Sequence, residues 1–166
     1  MSIENWKTIQ NFENYSVSDL GSIRSEKSGR ILALNQNQYG NVNVGLVRNG
    51  RQFHRSVSLL VAKAFLAPLS EIFDTPIHRD GNRWNNALEN LLWRPRWYAV
   101  KYNQQFRYPY LYSLNFPIQD IKTGEVSQNS FHCAIQYGLL ESDIVLATLN
   151  HTYVWPTYQI FQIVED

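Results

Sequence analysis

The sequence is poor in sulfur and in charge. It contains one cysteine, Cys133, and one methionine, Met1. A lone cysteine cannot close an intramolecular disulfide or furnish a cysteine-based zinc site, and a free cysteine is most often a small core residue. Charged residues make up 17% of the chain, against about 25% in average globular usage. Long apolar runs are missing as well. The most hydrophobic stretch, residues 56–69, carries Lys63 and Pro68 and is too short to span a bilayer. The first ten residues have neither the basic nor the apolar segment of a secretory signal. These absences exclude a disulfide-stapled domain and argue against a membrane-spanning helix, and they set the expectation of a protein of the reducing cytoplasm.

What is present suffices for a packed core. The chain has 166 residues, 44% of them hydrophobic and 14% aromatic, a composition that a disordered chain does not have. The formal charge of +1 argues at first against a nucleic-acid coat protein or a polybasic anchor, but it conceals a division. Residues 1–107 hold 14 of the 15 lysines and arginines and 8 of the 14 acids, a net of +6. Residues 108–166 hold 1 base and 6 acids, a net of −5.

Residues 6–57 read as short strands separated by turns. The clearest signal is the alternation of residues 41–47 and 52–55 on either side of Asn49-Gly50, which predicts a hairpin. Residues 58–66 predict a helix ended by Pro68, and residues 69–93 read as loop-rich. A second helix is expected to start at Arg94-Pro95 and run over residues 96–106, followed by a linker at residues 108–112. The last third predicts a strand at 116–121, helices at 130–137 and 142–149 flanking Gly138, and a strand at 158–164. The fold class is α+β. Three parts are expected: a β-rich module over 1–50, a core over 51–107 and a small acidic α/β module over 108–166.

The chemistry-bearing segment is Ile77 to Trp93. Its Asp80-Gly81-Asn82 forms a tight turn, which brings His78 near Asn90. A histidine titrating near neutrality is a natural general base for activating water, and an asparagine can accept from its second ring nitrogen and fix the tautomer. Around it stand Arg79, Arg83, Arg94, Arg96, Lys101 and Arg107, opposed by Asp80 and Glu89 and interleaved with Trp84, Trp93 and Trp97. With Arg55 they form a candidate surface for a phosphate backbone.

These residues carry a resemblance. Trp6-x-x-Ile9-x-x-Phe12-Glu13-x-Tyr15-x-Val17-Ser18-x-x-Gly21-x-Ile23-Arg24-Ser25 resembles the small module that precedes the nuclease in phage- and intron-encoded HNH homing endonucleases. His54-Arg55 through Ala64-Phe65, then His78-x-Asp80-Gly81-Asn82-x-x-Asn85-Asn86-x-x-x-Asn90-Leu91-x-Trp93, resembles their ββα-metal core. The last third is similar in layout to the helix-turn-helix module that follows. The resemblance implies a short-stranded N-terminal module, an HNH ββα core and a helix-turn-helix-like end. It implies His78 as general base, Asn90 as the residue that orients it, duplex DNA as partner, and Mg²⁺ or Mn²⁺ as cofactor if the site is active. It also implies the setting of a bacterial or phage-infected cell.

The metal-ligand positions of that family fall here on Ile77 and Ala99. Neither side chain offers a lone pair, so no metal is expected to be held unless Asp80 or Asn103 replaces them. The leading expectation is a DNA-binding protein on an HNH scaffold with cleavage lost or much reduced. The alternatives are an active metal-dependent nicking endonuclease, and a protein-interaction factor with a vestigial DNA surface. The second helix of the acidic end begins with Glu141 and Asp143, which suits the helix dipole but repels phosphate. Residues 113–166 are therefore expected not to grip DNA strongly, and to pack on the N-terminal part or meet a protein partner.

Overall fold

The computed structural model describes residues 4–164, and they form two compact units that divide between residues 96 and 97. In the first, β1 (Trp6–Ile9), β2 (Phe12–Ser18) and β3 (Ile23–Ser25) make an antiparallel meander. A second sheet follows, from β4 (Asn35–Gln36), β5 (Val42–Arg48) and β6 (Arg51–Ser56). Alternation along β5 puts Val42, Val44 and Leu46 in the core, 0–3% exposed. Asn49 and Gly50 sit between the paired Arg48 and Arg51 with φ of 50° and 73°. Two positive φ values are what a two-residue turn of this twist requires, and Asn and Gly tolerate them best.

Helix α1 (Val57–Phe65) starts where β6 ends, its first turn closed by the Leu59 N–H donating to Ser56 Oγ at 3.4 Å. Val57 and Val61 are fully buried and join Ile9, Phe12, Val17, Ile23, Val44 and Leu46 in one cluster. Burial of each such side chain contributes about 1.5–3 kcal/mol. Residues 69–93, read from sequence as loop-rich, hold a further hairpin: β7 (Thr75–His78) pairs antiparallel with β8 (Leu91–Arg94). Four-residue strands, one containing Pro76, are too short to display a period in the sequence.

In the second unit α2 (Arg96–Gln105) precedes a sheet of order β10–β9–β12–β11, made from β9 (Ile118–Asp120), β10 (Val126–Ser127), β11 (Tyr153–Val154) and β12 (Gln159–Ile163). Between β10 and β11 come α3 (Ser130–Tyr137) and α4 (Glu141–Asn150). Helix α3 ends at Gly138, whose N–H returns to the Ala134 and Ile135 carbonyls. Cys133 is fully buried beside Ile118, Leu139, Ile144 and Phe161, and burial pushes its thiol up to about 12. Helix α2 is fastened within this unit. Tyr98 is buried and its hydroxyl accepts from Leu140 N–H at 2.9 Å, while the Gln105 side chain accepts from Glu141 N–H at 3.0 Å. The sequence predicts a boundary at residue 107, and compactness divides the chain at 96/97, which groups α2 beyond Arg96 with the acidic end. No helix among the described residues is long and apolar enough to cross a membrane.

Candidate functional site

The β7–β8 hairpin presents one connection, residues 79–90, and its ends are fixed by the strand register His78↔Leu91. Asp80 organises the turn. Its Oδ1 accepts from Asn82 N–H at 2.8 Å and from Asn90 Nδ2 at 2.9 Å, and its Oδ2 accepts from Asn85 Nδ2 at 2.8 Å. Asn90 answers by accepting from Asp80 N–H at 3.1 Å and donating to the Asn85 carbonyl at 2.8 Å. A carboxylate receiving several N–H donors favours its charged form. For Asp80, burial opposes ionisation, but the bonds from Asn85, Asn90 and Asn82 prevail and hold its carboxyl below the usual value.

His78 is 8% exposed at the end of β7, and its Nε2–H donates to Asn86 Oδ1 at 3.0 Å. The Asn86 amide nitrogen is turned to the Arg83 and Trp84 carbonyls, at 3.1 and 3.3 Å. That orientation commits Oδ1 to the histidine and fixes the proton on Nε2, leaving Nδ1 as the basic nitrogen. Burial is the main cause that lowers the His78 pKa from 6.5; Arg83 adds to it, while Asn86 and Asp80 act the other way. The ring is therefore neutral at pH 7 and chemically able to take a proton.

The sequence predicts Asn90 as the partner of His78; in this structure the ring bonds Asn86, and Asn90 bonds Asp80 and the Asn85 carbonyl. Spacing alone could not separate them, because the segment carries four asparagines, at 82, 85, 86 and 90, and a turn of this kind can bring any of them to the histidine.

The loop is also anchored to the N-terminal strands. Leu88 N–H donates to the Asp19 carbonyl at 2.7 Å. Gly21, at φ 87°, lies so close that a Cβ there would stand 2.7 Å from Asn86 Cβ. Arg83 Nη1 donates to the Tyr39 carbonyl and to Asn41 Oδ1, both at 2.7 Å.

A divalent ion does not suit the residues present. Ile77 is fully buried and has no donor atom. Both oxygens of Asp80 already accept bonds within the turn. Ala99 lies 3% exposed in α2, and Asn103 donates its amide to the Ala99 carbonyl at 2.8 Å. Among the described residues no three or more of His, Cys, Asp and Glu gather to hold a metal.

The basic residues divide. Arg94 is 5% exposed and donates to the Trp93 carbonyl at 2.9 Å, so in this structure it is not a surface contact for phosphate, which corrects the reading of it as one. Its place at the end of β8, beside the buried Trp93 and Pro95, takes it inside. Arg79 donates to the Glu89 carbonyl at 3.1 Å and is half-buried, as is Arg83. Arg55 is half-buried with its guanidinium over Phe12 and Phe53, at 5.3 and 5.2 Å. Arg96, Lys101 and Arg107 are exposed, Lys101 lying 5.5 Å above the Trp97 ring. In the acidic unit, Glu141 is 2% exposed and accepts from Ser130 Oγ at 2.6 Å. One of the two acids read as repelling phosphate is therefore an internal fastener of the helix pair. Asp143 is half-buried, and burial raises its carboxyl.

Residues 4–47 match the NUMOD4 motif. An uncharacterized HNH endonuclease of Acanthamoeba polyphaga mimivirus, L245, is 36% identical over 91 residues, covering 55% of this chain and 27% of that protein. DNA endonuclease I-HmuI of Bacillus phage SP01 is 34% identical over 93 residues, covering 53% of this chain and 51% of that one. The alignments thus span between about a quarter and a half of these relatives. Over the whole chain the fold matches a solved structure described as DNA binding and cleavage by the HNH homing endonuclease I-HmuI, with a TM-score of 0.56, 23% identity, and coverage of 98% of this chain and 99% of that one.

Proposed function

We propose, for a chain that is related to the HNH endonucleases and has the fold of the homing endonuclease I-HmuI, a duplex-DNA-binding role in which phosphodiester cleavage is lost or much reduced. The observation that carries this reading is Ile77, fully buried in the strand position immediately before the His78 base. A hard divalent ion takes oxygen ligands, and here the neighbouring carboxylate, Asp80, is occupied with the turn. What the chain keeps is the frame: a neutral histidine with its tautomer set by Asn86, on a loop tied by hydrogen bonds. A base without a means of neutralising charge on the attacked phosphate lacks the term usually worth most in such chemistry.

Binding would come from phosphate contacts by exposed and half-buried cations such as Arg79, Arg96, Lys101 and Arg107, a term that weakens with salt. A plasmid-nicking assay with Mg²⁺ or Mn²⁺ tests the reading. Wild type is expected not to nick, and Ile77→Asp with Ala99→Asn to gain nicking. Metal-dependent nicking by wild type that His78→Ala abolishes would instead establish an active enzyme, a reading favoured by the neutral, oriented His78. Duplex affinity that is undetectable or insensitive to salt would leave the third alternative, a protein-interaction factor whose acidic end contacts a protein.

A further inference from the structure

A cleft of about 490 Å³ lies in the N-terminal unit between the β1–β2 turn, the β5–β6 hairpin and α1, and the loop of His78 takes no part in it. One face of α1 lines it, with Ser56, Leu59, Leu60, Lys63 and Ala64 recurring at helical spacing. Its rim carries four cations, Lys7, Arg48, Arg55 and Lys63, and its lining contains no carboxylate. Each of the first three is positioned by uncharged groups. Arg48 donates to the Asn11 carbonyl at 3.4 Å and lies 5.3 Å from the rings of Phe12 and Phe53. Arg55 covers the same two rings and donates to the His54 carbonyl at 3.0 Å. Lys7 donates to the Ala64 carbonyl at 3.0 Å. Lys63 is exposed on the last turn of α1. None of the four is ion-paired among the described residues, so their charge is uncompensated.

The shape selects among anions. A cleft of this size accepts a ligand of one or two nucleotides, whereas a base-paired duplex meets only its rim. Guanidinium planes and an apolar wall take the flat face of an unpaired base, and cations track the linking phosphates; that combination is how proteins hold single strands. We propose that this cleft binds a short unpaired segment of nucleic acid, its phosphates among Arg48, Arg55 and Lys63 and a base or sugar against Leu59 and Leu60. The site shares Arg55 with the candidate duplex surface but none of Arg79, Arg96, Lys101 and Arg107, so a change at Lys63 tests it apart from duplex binding.

Fluorescence anisotropy with a short single-stranded thymidine oligonucleotide tests it, beside a blunt duplex and an acidic peptide of equal charge. Lys63→Glu is expected to weaken the single strand about tenfold while changing duplex affinity less than twofold. Lys122→Glu, the same charge change in the acidic unit, is expected to leave both intact. Amide chemical shifts of the wild-type protein give a second readout that needs no variant, with perturbations expected at Leu59, Leu60 and Lys63. Equal loss for single strand and duplex, equal binding of the acidic peptide, or the same shifts with inorganic phosphate alone would overturn the proposal. So would shifts confined to residues 78–90.

Discussion

At the residue scale, Asp80 and His78 have opposite natures that the same loop reconciles. Asp80 is exposed but tied by three bonds; His78 is buried and tied by one. Asp80→Ala removes the acceptor of three donors, one of them on Asn90, which is 7% exposed. Urea unfolding should show a loss of about 1–3 kcal/mol. For His78 the sign of the pH effect follows from its lowered pKa. The unfolded chain binds a proton near 6.5 and the folded chain only at lower pH, so stability is full above that value and falls as pH drops below it. Denaturation midpoints of wild type should decline over that window relative to His78→Gln, which lacks the titrating group. A parallel decline in both proteins would show that the histidine is not the source.

At the scale of elements, the decisive contact is the one between the β2–β3 turn and the hairpin loop. Gly21→Ala adds a Cβ where 2.7 Å separates it from Asn86 Cβ, at a φ that alanine resists. It is expected to cost about 1–3 kcal/mol and to shift the His78 ring resonances, because Asn86 is the histidine's partner. Unshifted ring resonances would mean that the loop absorbs the change elsewhere. The sequence was readable where a local rule sufficed. Asn49-Gly50 announced its hairpin, the Val-Asn-Val-Gly-Leu alternation announced the buried face of β5, and Gly138 announced the end of α3. It was unreadable where tertiary partners decide. Which asparagine meets His78 depends on how the loop folds back, and the inward turn of Glu141 depends on Ser130, eleven residues away. The turn of residues 80–82 was legible, whereas the short strands on either side of the loop carried no period to read.

At the scale of the whole molecule, charge and compactness divide the chain at different points. Residues 97–166 hold three bases and six acids, and two of those bases, Lys101 and Arg107, lie on or just after α2. Duplex affinity should therefore fall with salt along a line whose slope is about −0.9 per phosphate neutralised. Arg96→Ala should flatten that slope by about one contact. Arg94→Ala, by contrast, should leave the slope alone and cost about 1–3 kcal/mol of stability, because its side chain lies inside and donates to the Trp93 carbonyl. An unchanged slope for Arg96→Ala would remove that residue from the binding surface. The anchoring of the loop by Asp19 and Gly21 bears, finally, on how such a chain can be rebuilt or can diversify. The stretch that matches the NUMOD4 motif is not a cassette that can be exchanged at its edges: a transplanted copy must bring a glycine at 21 and a free carbonyl at 19, or the recipient hairpin loses its mould. Recombination between relatives should succeed only at crossovers that inherit both sides of that joint together.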